Sequence, residues 1–338
     1  MKKKGKNLII MVFIAILLVS SAFLLRTRAK KELTTIPSPI AASAGSYYAV
    51  NDDGDLVCWG ENAYPDSVDY GMEYAQRRIV FENVTSVWTS RFSVLILDKD
   101  KNLWSSSGYF SEQIGRLDSF EKKGEWTQIL SNVCWASSGL HHNAAVTKDG
   151  DLWTWGMNDK GQLGNGAISE GDGTSFYPRE IMGGVKTALC SDNGTYALSQ
   201  NGVLYAWGEE IGTGKPTMLS KGVESIAFGC PGYLAMLSKN GDLYFYNLQD
   251  SSVRERIGPI RKEVINLFNG AYQTSTGETW LWGLANEDEL LTQSYQLSLS
   301  DPVLAVAPSY PLYLLMLDNQ TLCYVELFKS DIKIIPVL

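Results

Sequence analysis

Histidine is nearly missing from this 338-residue chain: there are two, His141 and His142, side by side. That count leaves no third histidine for a zinc site and no separate partner for a catalytic triad. Cysteine is sparse as well. The five thiols stand at positions 58, 134, 190, 230 and 323, with no zinc-type spacing. Buried free thiols are the expectation. The one alternative is a bridge between Cys190 and Cys230, which fall at nearly equivalent places in adjacent repeats. The run Gly161-Gln162-Leu163-Gly164-Asn165-Gly166 is glycine-rich, but it has no P-loop lysine and follows no Rossmann strand, so it is not read as a phosphate cradle. Asp98-Lys99-Asp100-Lys101-Asn102 begins like a calcium loop. It has Leu103 where such a loop needs glycine and Tyr109 where it needs glutamate, so it reads as a hairpin turn. No nucleophile-elbow serine or distinct carboxylate pair is found. The expectation is a protein without catalytic residues, cofactor or metal.

Positive charge is scarce beyond the first residues. The chain carries 29 Lys and Arg against 37 Asp and Glu, a net of −8. Residues 1–34 hold eight of the basic residues and one acid, which leaves 21 basic against 36 acidic, a net of −15. An acidic body repels nucleic acid, so none is expected as a partner.

What the chain does have is a repeat. Asp53-Gly54-Asp55-Leu56-Val57-Cys58-Trp59-Gly60 returns as Asp149-Gly150-Asp151-Leu152-Trp153-Thr154-Trp155-Gly156 and as Asn201-Gly202-Val203-Leu204-Tyr205-Ala206-Trp207-Gly208. The leucine marker recurs at Leu56, Leu103, Leu152, Leu204, Leu243, Thr279 and Leu322, giving seven units about 45 residues apart. The tryptophan three places on is kept at Trp59, Trp155, Trp207 and Trp282, and becomes Ser106, Tyr246 and Val325 elsewhere. Each unit has an apolar run, then a two-residue turn such as Asp149-Gly150, then a second apolar run ending in Trp-Gly. Apolar residues on both faces, as in Leu152-Trp153-Thr154-Trp155, suit strands sandwiched between neighbours. An earlier strand precedes each hairpin, from Ile40, Val84, Val133, Val185, Val223, Val264 and Val303. These are predicted to be inner strands, with a fourth, outer strand after each Trp-Gly. The fold class that follows is all-β: a seven-bladed β-propeller with four-stranded blades over residues 40–338.

Residues 8–25 contain no charge and would span about 27 Å as a helix, close to the hydrocarbon core of a bilayer. Four lysines precede the segment, and Arg26, Arg28, Lys30 and Lys31 follow it. It is read as a transmembrane signal anchor, with residues 1–7 as a short cytoplasmic tail and 26–39 as a linker. Ser20-Ser21-Ala22 would suit a cleavage site, but Phe23-Leu24-Leu25 prolongs the apolar run past it. The expected location is the cell membrane, single-pass, with the propeller on the extracytoplasmic side.

The third unit resembles the regulator-of-chromosome-condensation repeat family. Gly139-Leu140-His141-His142-Asn143-Ala144-Ala145-Val146-Thr147, Asp149-Gly150-Asp151-Leu152, Trp155-Gly156-Met157-Asn158 and Gly161-Gln162-Leu163-Gly164 follow that family's pattern. Echoes of the last block occur at Glu112-Gln113-Ile114-Gly115 and Glu210-Ile211-Gly212. The resemblance covers about residues 40–330 and implies a seven-bladed propeller, here as a membrane-anchored, bacterial member. It also implies a structural, hydrogen-bonding role for His142. The family's nucleotide-exchange role is opposed by the anchor and the acidic body.

Long, dissimilar loops follow Trp-Gly, whereas the hairpin turns are short and uniform. Strand alternation places those loops on the same ring face as His141 and His142. Long loops on a rigid scaffold are where binding resides. The candidate binding residues are Tyr64, Asp66, Tyr70, Tyr109, Phe110, His141, Glu170, Asp172, Phe176 and Tyr177, an aromatic and acidic set suited to a protein or glycan surface. The expectation is a monomeric interaction scaffold for a protein or cell-envelope partner. Two alternatives stand beside it: an inhibitor or regulator of a cell-envelope enzyme, and a glycan-binding or glycan-processing propeller.

Overall fold

Seven four-stranded antiparallel sheets make up the repeat region, each from four consecutive strands. The computed structural model describes residues 38–43, 45–60, 77–107, 125–168, 175–229, 232–248, 256–282, 294–299, 301–309, 312–328 and 331–336. The candidate anchor at 8–25 lies outside them; among the described residues no helix is long and apolar enough to cross a membrane. Blades 1 to 7 cover 40–81, 84–130, 133–182, 185–221, 223–261, 264–297 and 303–336. Strands lie side by side in chain order within each blade. First strands touch between blades 1 and 2, 2 and 3, 3 and 4, 5 and 6, and 6 and 7, and the first strand of blade 7, Val303–Ser309, packs on that of blade 1, Ile40–Ser43. First strands are thus innermost and fourth strands outermost, as the repeat grammar predicts.

The marker leucine and the tryptophan lie three apart in one strand, so their side chains leave opposite faces. Leu152 packs toward blade 4 with Val185, Ala188 and Trp207. Trp155 packs toward blade 2 with Leu95, Leu97 and Leu103. Each blade repeats the arrangement, and seven apolar clusters fill the seven seams. Trp155 and Trp207 are fully buried, and truncating such a ring to alanine costs about 3–5 kcal/mol. The repeat is therefore a packing code. Its eroded copies are repacked: in blade 2, where Ser106 replaces the tryptophan, Trp104 and Trp126 each lie 5.3 Å from Phe81 of blade 1. No strand is exchanged between blades 7 and 1. That seam is closed by side chains, with the Tyr47 ring 5.8 Å from Trp59 and 5.0 Å from Tyr324. The Trp59 indole N–H donates to the Tyr324 hydroxyl.

The hairpins differ from the two-residue turns expected. Gly150 N–H donates to the Thr147 carbonyl and Thr147 N–H to the Asp151 carbonyl, each at 3.0 Å. That is a three-residue loop closed by a left-handed residue, with Gly150 at φ 91°. The first turn residue also caps the loop: Thr147 Oγ1 accepts from Asp151 N–H at 3.1 Å. Asp98 does the same in blade 2, accepting from Asn102 N–H and from the Trp104 indole, both at 2.8 Å. Burial pushes its carboxyl up, but the bonds from Trp104 and Asn102 outweigh that and hold it below the usual carboxylate range. The segment that begins like a calcium loop is a turn, as its missing ligands predict.

Outer strands carry prolines: Pro178 in Ser175–Met182, Pro216 in Thr213–Lys221, Pro259 in Arg256–Arg261 and Pro336 in Asp331–Pro336. Proline has no N–H, so these edges cannot offer a full ladder to another strand. The proline-free outer strands of blades 1, 2 and 6 are four residues long. Cys58, Cys134, Cys190 and Cys323 are free thiols. Cys190 therefore carries no bridge, and burial pushes its thiol up to about 12; Cys230 lies outside the described residues.

In the eroded hairpins of blades 2 and 7 the left-handed position falls on Lys101, at φ 68°, and Gln320, at φ 64°. A side chain is strained there, and glycine is not. Lys101→Gly and Gln320→Gly should each raise the unfolding free energy by about 0.5–1 kcal/mol, seen as a higher urea midpoint with an unchanged slope.

Candidate functional site

Antiparallel order puts the first-to-second corners and the third-to-fourth connections of every blade on one ring face. On that face, blade 3 is joined to blade 4 by buried polar groups. The Gln162 carbonyl accepts from Thr195 Oγ1 at 2.8 Å and from the Trp207 indole N–H at 2.9 Å. Thr195 has one hydroxyl proton, and it is used in that bond. Its oxygen must then accept from His142 Nε2, 2.8 Å away. The imidazole is thereby fixed as the neutral Nε2–H tautomer. It is fully buried, and burial holds it down at about 3. His142 is structural, as its position in the repeat implies.

The rest of the connection is tied down in the same way. Leu163 N–H donates to Asn158 Oδ1 at 2.9 Å, and Thr154 Oγ1 donates to the Leu163 carbonyl at 2.8 Å. Asn158 Nδ2 donates to the Ala167 carbonyl at 2.9 Å. Gly166 N–H donates to the Gly214 carbonyl of blade 4 at 2.8 Å, and Lys160 pairs with Glu209 at 3.1 Å. At Gly164 a β-carbon would lie 2.6 Å from the Trp207 indole nitrogen. The glycine-rich run is thus a buttress between blades, and glycine is needed for close approach of the backbone to an indole.

Three candidate residues are described. His141 is half-buried at the first-to-second corner, stacked 5.6 Å from Phe92 of blade 2, over which Arg91 lies at 5.5 Å. Its carbonyl accepts from Met157 N–H at 2.9 Å. Phe176 is half-buried and Tyr177 is 51% exposed in the outer strand of blade 3. Ile168, which sequence reasoning passed over, is 58% exposed at the end of the buttress. Tyr64, Asp66, Tyr70, Tyr109, Phe110, Glu170 and Asp172 lie outside the described residues. Among the described residues, no three His, Cys, Asp or Glu side chains converge as they would around a metal. Thr195 and the Gln162 carbonyl were not foreseen. The signal for them was the placement of His142, the Gly-Gln-Leu-Gly run and Trp207 in two consecutive repeats.

The fold and its pinned loop face define a seven-bladed propeller built on a Trp-Gly repeat. Residues 149–198 match the family model described as Regulator of chromosome condensation (RCC1) repeat. The chain is similar to the Protein RCC2 homolog of Xenopus laevis, 42% identical over 122 residues. That stretch is 35% of this chain and 21% of the relative, so the match spans about a fifth of the relative's length. Among solved structures, human WBSCR16 superposes with a TM-score of 0.64 at 19% identity, covering 82% of this chain and 85% of that one. Yeast RCC1 (Prp20), solved with Kap60 bound, superposes at 0.54 and 16% identity, covering 86% and 70%. These structural likenesses establish the fold.

The His142 bridge makes stability depend on pH. Its folded value, about 3, lies below the usual histidine value, so the unfolded chain takes up a proton first. The stabilisation is complete above about pH 6.5 and is lost progressively as pH falls toward 3, on the order of 4 kcal/mol in all. His142→Gln should flatten the chemical-denaturation stability of the protein over that window. Thr195→Val should cost about 1–3 kcal/mol at neutral pH by leaving the imidazole N–H buried without an acceptor.

Proposed function

We propose that this protein is a non-enzymatic interaction module, tethered to a membrane by residues 8–25, whose extracytoplasmic propeller binds a protein or cell-envelope partner through its loop face. The observation that carries the reading is the pinned connection of blade 3. Exposed Ile168 follows a backbone fixed to blade 4 by the Gln162, Gly166 and Lys160 contacts, and exposed Tyr177 stands on the outer strand of blade 3, paired with Leu152–Gly156. A partner meeting such a surface orders little new structure on binding. His141, Phe92 and Arg91 extend the platform toward blade 2. The proline-interrupted outer strands disfavour strand addition at the rim, which leaves the loop face as the better surface. A propeller of the same fold, yeast RCC1, is known with Kap60 bound. The membrane tether rests on the uncharged run at 8–25 and its basic flanks.

A photocrosslinking residue placed at Tyr177, and for contrast at Asp100 in a hairpin of the opposite face, tests the surface in intact cells. The expected result is a discrete adduct from position 177 alone. Equal adducts from both positions, or none from 177, would sink the loop-face assignment. Protease added to intact permeable-walled cells should remove the propeller from the membrane pellet; full protection would overturn the topology.

A further inference from the structure

On the face opposite the long loops, one backbone hydrogen bond recurs between neighbouring blades. The N–H of the valine that opens a blade donates to the carbonyl of the left-handed hairpin residue in the blade before it. Val84 donates to Gly54 at 2.7 Å, Val133 to Lys101 at 3.0 Å, Val185 to Gly150 at 2.9 Å, Val223 to Gly202 at 3.0 Å and Val264 to Gly241 at 3.0 Å. These bonds join blades 1 to 6 in series. Each one shifts the opening equilibrium of the blades it joins by roughly two- to tenfold.

Blade 7 is outside the series on both sides. Among the described residues no such bond runs from Val303 to Gly277 of blade 6, or from Ile40 to Gln320 of blade 7. The Ile40 N–H donates instead to Ser38 Oγ at 3.3 Å. The spacing agrees. A β-carbon at Gly54, Gly150, Gly202 or Gly241 would lie 2.8–3.6 Å from the carbonyl oxygen of the next blade's valine, but at Gly277 it would meet nothing within 4 Å. The hairpin of blade 6 thus stands off from blade 7.

Side chains take over at both seams. Toward blade 6, Gln273 Nε2 donates to the Val303 carbonyl at 3.0 Å and to Thr279 Oγ1 at 3.1 Å, and Gln273 Oε1 accepts from Asn266 Nδ2 at 2.9 Å. Thr279 stands where most other blades have the marker leucine. The Tyr313 hydroxyl donates to the Trp282 carbonyl. Toward blade 1 the inner strands pack directly, but farther out the blades part around a hollow of 410 Å³, lined by Val57 and Trp59 of blade 1 and by Met316 and Leu322 of blade 7, among others.

We propose that blade 7 is the clasp of the ring: it disengages from both neighbours as a unit while blades 1 to 6 stay joined. Such cooperative sub-global opening follows the weakest set of contacts. When the clasp is open, Tyr47 and Trp59 of blade 1 and Leu281 of blade 6 lose their cover. The opening is independent of the loop face and of any partner bound there.

Hydrogen exchange of the full chain in detergent micelles, read by mass spectrometry on peptides, tests this. Val303–Ser309, Leu312–Leu317 and Leu322–Phe328 should exchange together, at least tenfold faster than Val185–Cys190, Gly194–Ser199 and Val203–Gly208 of blade 4. Equal protection of the two blades overturns the proposal. So does fast exchange confined to Asp331–Pro336, which would be fraying of an outer strand. Gln273→Ala removes the donor to Val303 and should speed exchange in blade 7 a further two- to tenfold, with blade 4 unchanged. Equal acceleration in both blades would mean that the ring opens as a whole, and is equally fatal. If Gln273→Ala fails to fold, Tyr313→Phe is read by the same criterion.

Discussion

Side chains leaving both faces of each third strand hold this ring together. Leu152 serves the seam with blade 4 and Trp155 the seam with blade 2, from one five-residue strand. No blade is complete alone, because each apolar face is covered only by its neighbour. The chain resolves this by closing on itself, so that seven seams are buried and none is left open. The polar groups of the loop face depend on that closure. Thr195 and Trp207 meet the Gln162 carbonyl, and His142 meets Thr195, only because blades 3 and 4 are already packed at the spacing their leucines and tryptophans set.

Two kinds of order follow from the same repeat. The apolar kind is tolerant: blade 2 replaces its missing tryptophan with rings from other positions, and blade 7 manages with Val325. The polar kind is not, because a buried imidazole, hydroxyl and indole converge on a few oxygens and each must be satisfied. That asymmetry explains why the full form of the repeat is concentrated in the third unit. It is the unit whose loop has to be fixed in place, and so the one that presents a defined surface.

Much of the fold was legible in the sequence because its cause is periodic. Leu152 and Trp155 announce a strand with two buried faces, and seven markers announce seven blades. The hairpins were read one residue too short, because Asp-Gly alone does not distinguish a two-residue turn from a three-residue loop with a left-handed closing residue. The Asn102 and Trp104 bonds to Asp98, which make a turn of a calcium-like segment, depend on side-chain reach that spacing does not encode. The site was less legible. His142 was placed by its position in the repeat, but its acceptor lies 53 residues away on another blade. Thr195 looks unremarkable in sequence, and Ile168 gains its prominence only from the buttress beneath it.

Closure without an exchanged strand has a consequence for how the molecule is made. The apolar face of blade 1 that carries Tyr47 and Trp59 is covered by Leu314 and Met316 of blade 7, more than 250 residues later. During synthesis that face has no native cover until the last blade leaves the ribosome. At about 5–20 residues per second this leaves it bare for tens of seconds at most. The seam that joins the beginning of the ring to its end is thus the one that cannot be packed until synthesis is nearly complete.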